Sequence, residues 1–408
     1  MIPLTKPVID KKEIESVAKT IKSGWITQGP KVKEFEERFS KYTGAKYSAA
    51  VSSCTTALHL SLLTLGVKPG DFVITVSHSY IATANSIRHA MAEPIFVDVN
   101  SSNYNMDTES LKDLIEEECY VKNKSLYFRN YKKLIDNSPI LDVINNVSGK
   151  ISAIIVPHQI GIPSDIYEIK KILRGINLPI IEDAACAIGS KFNKQNNLIN
   201  IGYPVGDLVC FSFHPRKLLT TGDGGMITSN NKGYIEKIKL LRNHGMNIDS
   251  FKRKNANKYF FDEHVISGFN FRMTDIQASI GVEQLKKINS VVNERKDIAI
   301  YYKKKLSAID QVTTFEEGPN LLTNWQSFPI KIKSNHDSMD LVKYLFKEGI
   351  YSKRGVMNSH EEAPYIGQNW NLPNSEELLR HTILLPMYNG LKNKEIDYIV
   401  RKVKKFFE

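Results

Sequence analysis

The chain has 408 residues, 42% of them hydrophobic and 24% charged, with a formal net charge of +11. That length exceeds a typical single domain and points to two domains sharing one cleft, and no apolar run approaches a bilayer span, so no membrane association is expected. The positive excess is lysine on helix faces such as "EIKKILRG" and "DYIVRKVKKFFE", which reads as solvated surface or as affinity for a small anion, not as a nucleic-acid footprint.

In chain order, "MIPLTKPVIDKKEIESVAKTIKSGW" lacks a basic start followed by an apolar core, so the cytoplasm is the expected compartment. Residues 11–22 and 33–43 carry apolar residues at helical spacing, and each is followed by a glycine, Gly24 and Gly44. Next come "KYSAAVSS" as a buried strand, "TTALHLSLLTLG" as a helix, "DFVITVSH" as a strand, "YIATANSIRHAMA" as a helix and "EPIFVDVN" as a strand. Alternation continues through "ISAIIVPH", "DIYEIKKILRG", "LPIIEDAA" and "DLVCFSF", the pattern of a mostly parallel sheet sandwiched by helices. Residues 107–150, rich in Lys, Asn and Tyr, break the alternation and are expected to be an inserted, partly helical surface element. After residue 250 a long amphipathic helix "TDIQASIGVEQLKKINSVVNERKDIAIYYKKKLSAI" leads to strands "SFPIKIKS" and "GIYSKRGVM" and a closing helix. The expected division is a large α/β domain over 1–250 and a smaller α+β domain over 251–408.

Cys54, Cys119, Cys186 and Cys210 show no CxxC spacing, and the histidines form no HExxH pair, so neither disulfides nor a metal centre is expected. Ligands of open α/β sheets sit beyond the carboxyl ends of strands, which directs attention to Cys54-Thr55, Ser79-Tyr80, His158, Asp183, and the group His214, Arg216 and Lys217. A helix start, an aromatic, an acid and an amine around one cleft suit an anionic, planar, protonatable heterocycle.

"AAVSSCTTALHLSL", "IIEDAACAIGS", "FSFHPRKLLTTGDGG" and "GFNFRMTDIQASIGVEQL" occur in this order. Together they resemble the DegT/DnrJ/EryC1/StrS aminotransferases, pyridoxal-phosphate-dependent enzymes of fold type I that aminate keto-sugars. The resemblance implies a Schiff-base lysine at Lys217 and an acid at Asp183 that pairs with the pyridinium nitrogen. A lysine amine and a carboxylate so placed supply the nucleophile, the proton shuttle and the counter-charge that the cofactor's electron-sink chemistry needs. It further implies phosphate contacts from Cys54, Thr55, Ser212 and, from a partner subunit, Asn270, with Tyr80 stacked on the ring; 1–250 is then the cofactor-binding domain. Shared sites imply a homodimer, and the family implies L-glutamate as amino donor and an anionic nucleotide-linked keto-sugar as acceptor. Thr27, His158 and Arg354 are the candidate substrate contacts.

Each residue also has a plainer reading. Lys217 would then be a solvated turn charge, Asp183 and Asn270 helix caps, Tyr80 a core or interface aromatic, Ser212 a backbone partner and Cys54 a small buried side chain. The chain departs from the family pattern in three places. Cys186, implied as a cofactor contact near the phenolic oxygen, stands where glutamine is common, "HQIGIP" replaces "HLYGQP", and "SKRGVMNSHEEAPY" replaces a "HYxPLH"-like stretch, where Lys353 and Arg354 offer a grip on phosphate or carboxylate or are plain edge charges. A small phosphorylated ketone as acceptor, or a non-catalytic protein on the same fold, are the competing functions.

Overall fold

A computed structural model describes residues 1–145, 147–247, 261, 263–333 and 336–408. The strands are β1 Tyr47–Val51, β2 Phe72–Val76, β3 Glu93–Val97, β4 Cys119–Lys122, β5 Ser125–Phe128, β6 Lys150–Pro157, β7 Ile180–Asp183 and β8 Lys191–Lys194. They continue with β9 Asn197–Asn200, β10 Leu208–Ser212, β11 Gly225–Ser229, β12 Val312–Thr314, β13 Leu321–Leu322, β14 Phe328–Ile332, β15 Lys353–Arg354 and β16 Thr382–Leu385. Helices α1 to α8 are Lys11–Lys22, Pro30–Thr43, Cys54–Leu65, Ala82–His89, Thr108–Asp113, Lys132–Ile135, Ile166–Ile172 and Lys232–Leu241.

The main sheet has the order β1-β11-β10-β7-β6-β2-β3. From β10 to β3 all pairings are parallel, whereas β11 enters antiparallel between β1 and β10. Strand alternation sends β10 side chains to both faces: Leu208 and Cys210 pack beneath Leu58, Leu62 and Ile238, while Val209 and Phe211 pack beneath Phe35, Phe39 and Val282. Both faces are therefore dry, which is why these strands read as continuous apolar runs and not as alternating ones. Helix ends follow local chemistry: Ser53 and Thr56 form a reciprocal cap at the start of α3, and Gly44 and Gly66 close α2 and α3 with φ of 79° and 86°.

The segment 107–150 differs from the surface element expected. Besides α5, a single π-turn and α6, it forms the hairpin β4–β5, and β5 pairs with β6 and so joins the main sheet. Leu126, Phe128, Leu134 and Leu141 are buried in the core. The Asn–Lys pair that looked like surface is the hairpin turn, with φ of 52° at Asn123 and 62° at Lys124, values a two-residue primed turn requires.

A second sheet, β12-β14-β16-β15, gathers C-terminal residues, and β13-β8-β9 forms a third. The helix Asp275–Leu306 packs on α1, α2 and the terminal helix Asn393–Phe407. The boundary expected between 250 and 251 lies outside the described residues. The first residues of the chain belong with the C-terminal sheet: Ile2 N–H donates to Gly349 O at 2.7 Å, and Met387 N–H to Leu4 O at 3.0 Å. "GIYSKRGVM" contributes a strand of only two residues, Lys353 and Arg354.

Candidate active site

The carboxyl ends of β7 and β10 and the start of α3 converge, because β7 lies beside β10 with Cys210 opposite Asp183. Asp183 is buried at the end of β7. Its Oδ2 accepts from Thr83 Oγ1 at 2.8 Å, its Oδ1 accepts from the Ala185 N–H at 3.1 Å, and the Cys54 thiol stands 3.9 Å from Oδ1. Burial, followed by the charge of Asp183, pushes the Cys54 thiol well above its ordinary pKa, so it stays neutral beside the acid.

Lys217 leaves the end of β10 through the turn His214–Lys217, closed by Lys217 N–H donating to His214 O at 2.8 Å. Its Nζ lies 2.9 Å from Cys186 Sγ, three residues beyond Asp183. Burial is the largest single influence and pulls the amine's pKa down, but its neighbours, Cys186 first and Asp183 after it, outweigh burial and raise the pKa above the ordinary lysine value. Cys186 is fixed from behind: Asn324 Nδ2 donates to Cys186 O and Ile188 O, each at 2.8 Å. That approach needs a glycine at 161, where φ is +97° and a Cβ would fall 2.1 Å from Asn324 Oδ1.

The start of α3 is a ready anion cradle. The N–H groups of Cys54 and Thr55 lie in its first turn, where no intrahelical carbonyl reaches them, while Ser53 caps Thr56 N–H at 3.1 Å. Gly225 of β11 packs directly on this turn, since a Cβ there would meet Ser53 O at 2.5 Å and Cys54 N at 2.9 Å. Ser212 is paired with Gly225 in the β10–β11 register, which brings its hydroxyl to the same corner.

Other expected site residues fall in different places. Tyr80 is 68% exposed on the loop after β2 and shares one turn with Thr83, whose N–H donates to Tyr80 O at 3.0 Å. Arg354 and Lys353 form β15, and Arg216 precedes Lys217. Burial, then the charges of Arg216, Lys217 and Arg354, push the Lys353 amine below its ordinary pKa, although the residue as a whole is exposed. His158 is turned into the core. Its Nδ1 accepts from Ser164 N–H at 2.9 Å and its Nε2 faces Glu182 Oε2 at 3.1 Å, so both ring nitrogens are engaged away from Lys217. Thr27 is exposed; its carbonyl accepts from Asp275 N–H at 3.1 Å. Asn270 is exposed and bridges Asn243, and the cap of the long helix is Thr274, so the plainer reading of Asn270 as that cap does not hold. Sequence reasoning missed Thr83 and Asn324. Thr83 was within reach, three residues past Tyr80 in a helix start at a strand's carboxyl end; nothing local marks Asn324.

An amine, a buried carboxylate and an anion cradle at one sheet edge fit the aldehyde, ring nitrogen and phosphate of pyridoxal 5′-phosphate. Fold and site define a pyridoxal-phosphate-dependent aminotransferase. The model of the DegT/DnrJ/EryC1/StrS aminotransferase family matches residues 7–404, and the chain belongs to that family. An uncharacterized protein of Methanocaldococcus jannaschii, MJ1066, is 34% identical over 99% of this chain and 97% of its own. UDP-4-amino-4-deoxy-L-arabinose–oxoglutarate aminotransferase of Shewanella sediminis is 32% identical over 76% of this chain and 71% of its own. Among solved structures, Spr1654 of Streptococcus pneumoniae in its PLP-form superposes with a TM-score of 0.81, at 25% identity, over 99% of this chain and 98% of that one.

Proposed function

We propose that this chain moves the amino group of L-glutamate to a keto group of a nucleotide-linked sugar, as a cytoplasmic homodimer with shared sites. When bound, pyridoxal phosphate supplies the aldehyde that carries the amino group and the ring that takes up the electron pair left at the reacting carbon. Asp183, held by Thr83 and the Ala185 N–H, fixes a negative charge for the ring nitrogen. The Cys54 and Thr55 N–H groups and Ser212 would bind the phosphate, Tyr80 would cover the ring, and Lys217 would hold the aldehyde end through Nζ and carry a proton at that atom.

The observation that carries the acceptor class is the cluster of Arg216, Lys353 and Arg354 beside Lys217. No carboxylate of the described residues pairs with these three, and three unpaired cations suit a diphosphate better than a neutral sugar. The relative's name pairs a UDP-sugar with oxoglutarate, which agrees with glutamate as donor. A second copy is supported by α1, which buries Glu13 and Thr20 and leaves Ile14 and Ile21 65% and 53% exposed, an inverted pattern that asks for a covering surface.

The test is spectral. Protein loaded with pyridoxal phosphate should show an absorbance band that borohydride abolishes, lose that band with L-glutamate, and regain it with a nucleotide-linked keto-sugar. Recovery with small phosphorylated ketones but with no nucleotide-linked sugar would overturn the acceptor assignment.

A further inference from the structure

We infer that Cys186 and Lys217 form a proton-sharing pair, in which Cys186 Sγ takes the proton that Lys217 Nζ must shed before the amine can attack, and returns it when the amine is freed. The inference rests on the assignment of Lys217 as the attacking amine. One proton moves from Nζ to Sγ, converting ammonium and thiolate into amine and thiol, and no electrons change hands.

Three observations carry it. Sγ is 2.9 Å from Nζ, and the other acceptors nearby are engaged elsewhere: Asp183 accepts from Thr83 and Ala185, and the Cys54 thiol is turned toward Asp183. Cys54, Cys119 and Cys210 are buried, whereas Cys186 is only half-buried and its backbone is clamped by Asn324. The charged groups around the pair are Asp183 from β7, Arg216 from the lysine's own turn, and Lys353 and Arg354 from β15; the thiol of Cys54 faces it from α3, and the titratable ring of His214 stands on the lysine's own turn.

The experiment measures alkylation of Cys186 by iodoacetamide in the full chain, by mass spectrometry, as a function of pH. It compares the wild type with Lys217→Arg, which keeps the charge, and Lys217→Met, which removes it. The expected midpoint in the wild type and in Lys217→Arg lies about one pH unit or more below that of Lys217→Met, equal to a rate ratio of ~10 at neutral pH. In Cys186→Ser, whose hydroxyl is a poor proton acceptor, the cofactor's absorbance band should form ~10-fold more slowly at neutral pH and recover at alkaline pH. Equal alkylation profiles in wild type and Lys217→Met, no alkylation of Cys186 in the wild type, or unchanged band formation in Cys186→Ser would each overturn the pair. A wild type that never takes up pyridoxal phosphate yet keeps the lysine-dependent thiol profile would instead sink the proposed function and leave the pair standing.

Discussion

Replacing Thr83 by valine tests the placement of Asp183 with almost no change of volume. The Thr83 hydroxyl donates to Asp183 Oδ2 at 2.8 Å, and both residues are buried, at 2% and 7% exposure. The substitution leaves one carboxylate oxygen without its protein donor while Oδ1 keeps the Ala185 N–H. Hydrogen bonds to charged groups are worth about 1.5–3 kcal/mol, so Thr83→Val should lower unfolding stability by an amount in that range. If the same bond aligns Asp183 with the ring nitrogen, up to that much is also lost in the half-reaction with L-glutamate, a slowing of ~10- to 150-fold. Urea unfolding and stopped-flow absorbance measure the two effects separately. Thr83→Ser, which restores the hydroxyl, should recover most of both. A valine variant with stability within about 0.5 kcal/mol of wild type and an unchanged half-reaction rate would refute the reasoning.

Further outcomes follow from the same geometry. If the proposed dimer shares its sites, mixing Lys217→Ala and Asn270→Ala chains should restore about a quarter of wild-type activity, because half the dimers would then be hybrids with one intact site each; two inactive parents that stay inactive on mixing would exclude a shared site. Gly161→Ala should unfold at clearly lower denaturant concentration, because the new Cβ strikes Asn324 Oδ1 and the backbone has positive φ; an unchanged midpoint would contradict that packing. Replacing Lys353 and Arg354 by alanine should raise KM for the sugar acceptor ~10-fold or more and leave the glutamate half-reaction within about twofold, and steady-state kinetics with each substrate varied in turn checks it. Burial lowers the pKa of His78 from 6.5 to about 4, against the opposing Asn358 hydrogen bond and Asp98. The unfolded chain therefore binds a proton that the fold refuses, and stability that is full above pH 6.5 is lost as pH falls toward about 4. His78→Asn should reduce that acid limb in denaturation curves taken across this range, leaving the part due to His59, which burial also lowers to about 4, and an unaltered limb would assign it to other groups.

The parallel centre of the sheet and the positions of Lys217 and Asp183 were legible because each rests on a local pattern: a short apolar run, then a polar residue at its carboxyl end. The hairpin β4–β5 was not, because its Lys- and Asn-rich turn hides the alternation of Leu126 and Phe128, whose burial depends on β6 far along the chain. Asn324 was invisible for the same reason: its partners Cys186 and Ile188 are distant in sequence, and a lone asparagine before a tryptophan marks no local structure.

His158 and Asp183 show most directly how strand geometry assigns roles. Successive residues of β7 point to opposite sides, so Asp183 reaches the Lys217 side only because its neighbour Glu182 is sent the other way, into the core. There Glu182 Oε1 accepts from the N–H groups of Val205 and Gly206, at 2.9 and 2.7 Å, and Oε2 meets His158. A buried carboxylate without such donors would cost several kcal/mol. His158 thus supports the site from behind: its ring and two backbone donors make it possible to bury Glu182, and burying Glu182 fixes the register that presents Asp183. Substituting His158 should therefore reduce stability and cofactor uptake together, measured by unfolding and by absorbance titration, whereas a substrate contact would change KM for the sugar alone.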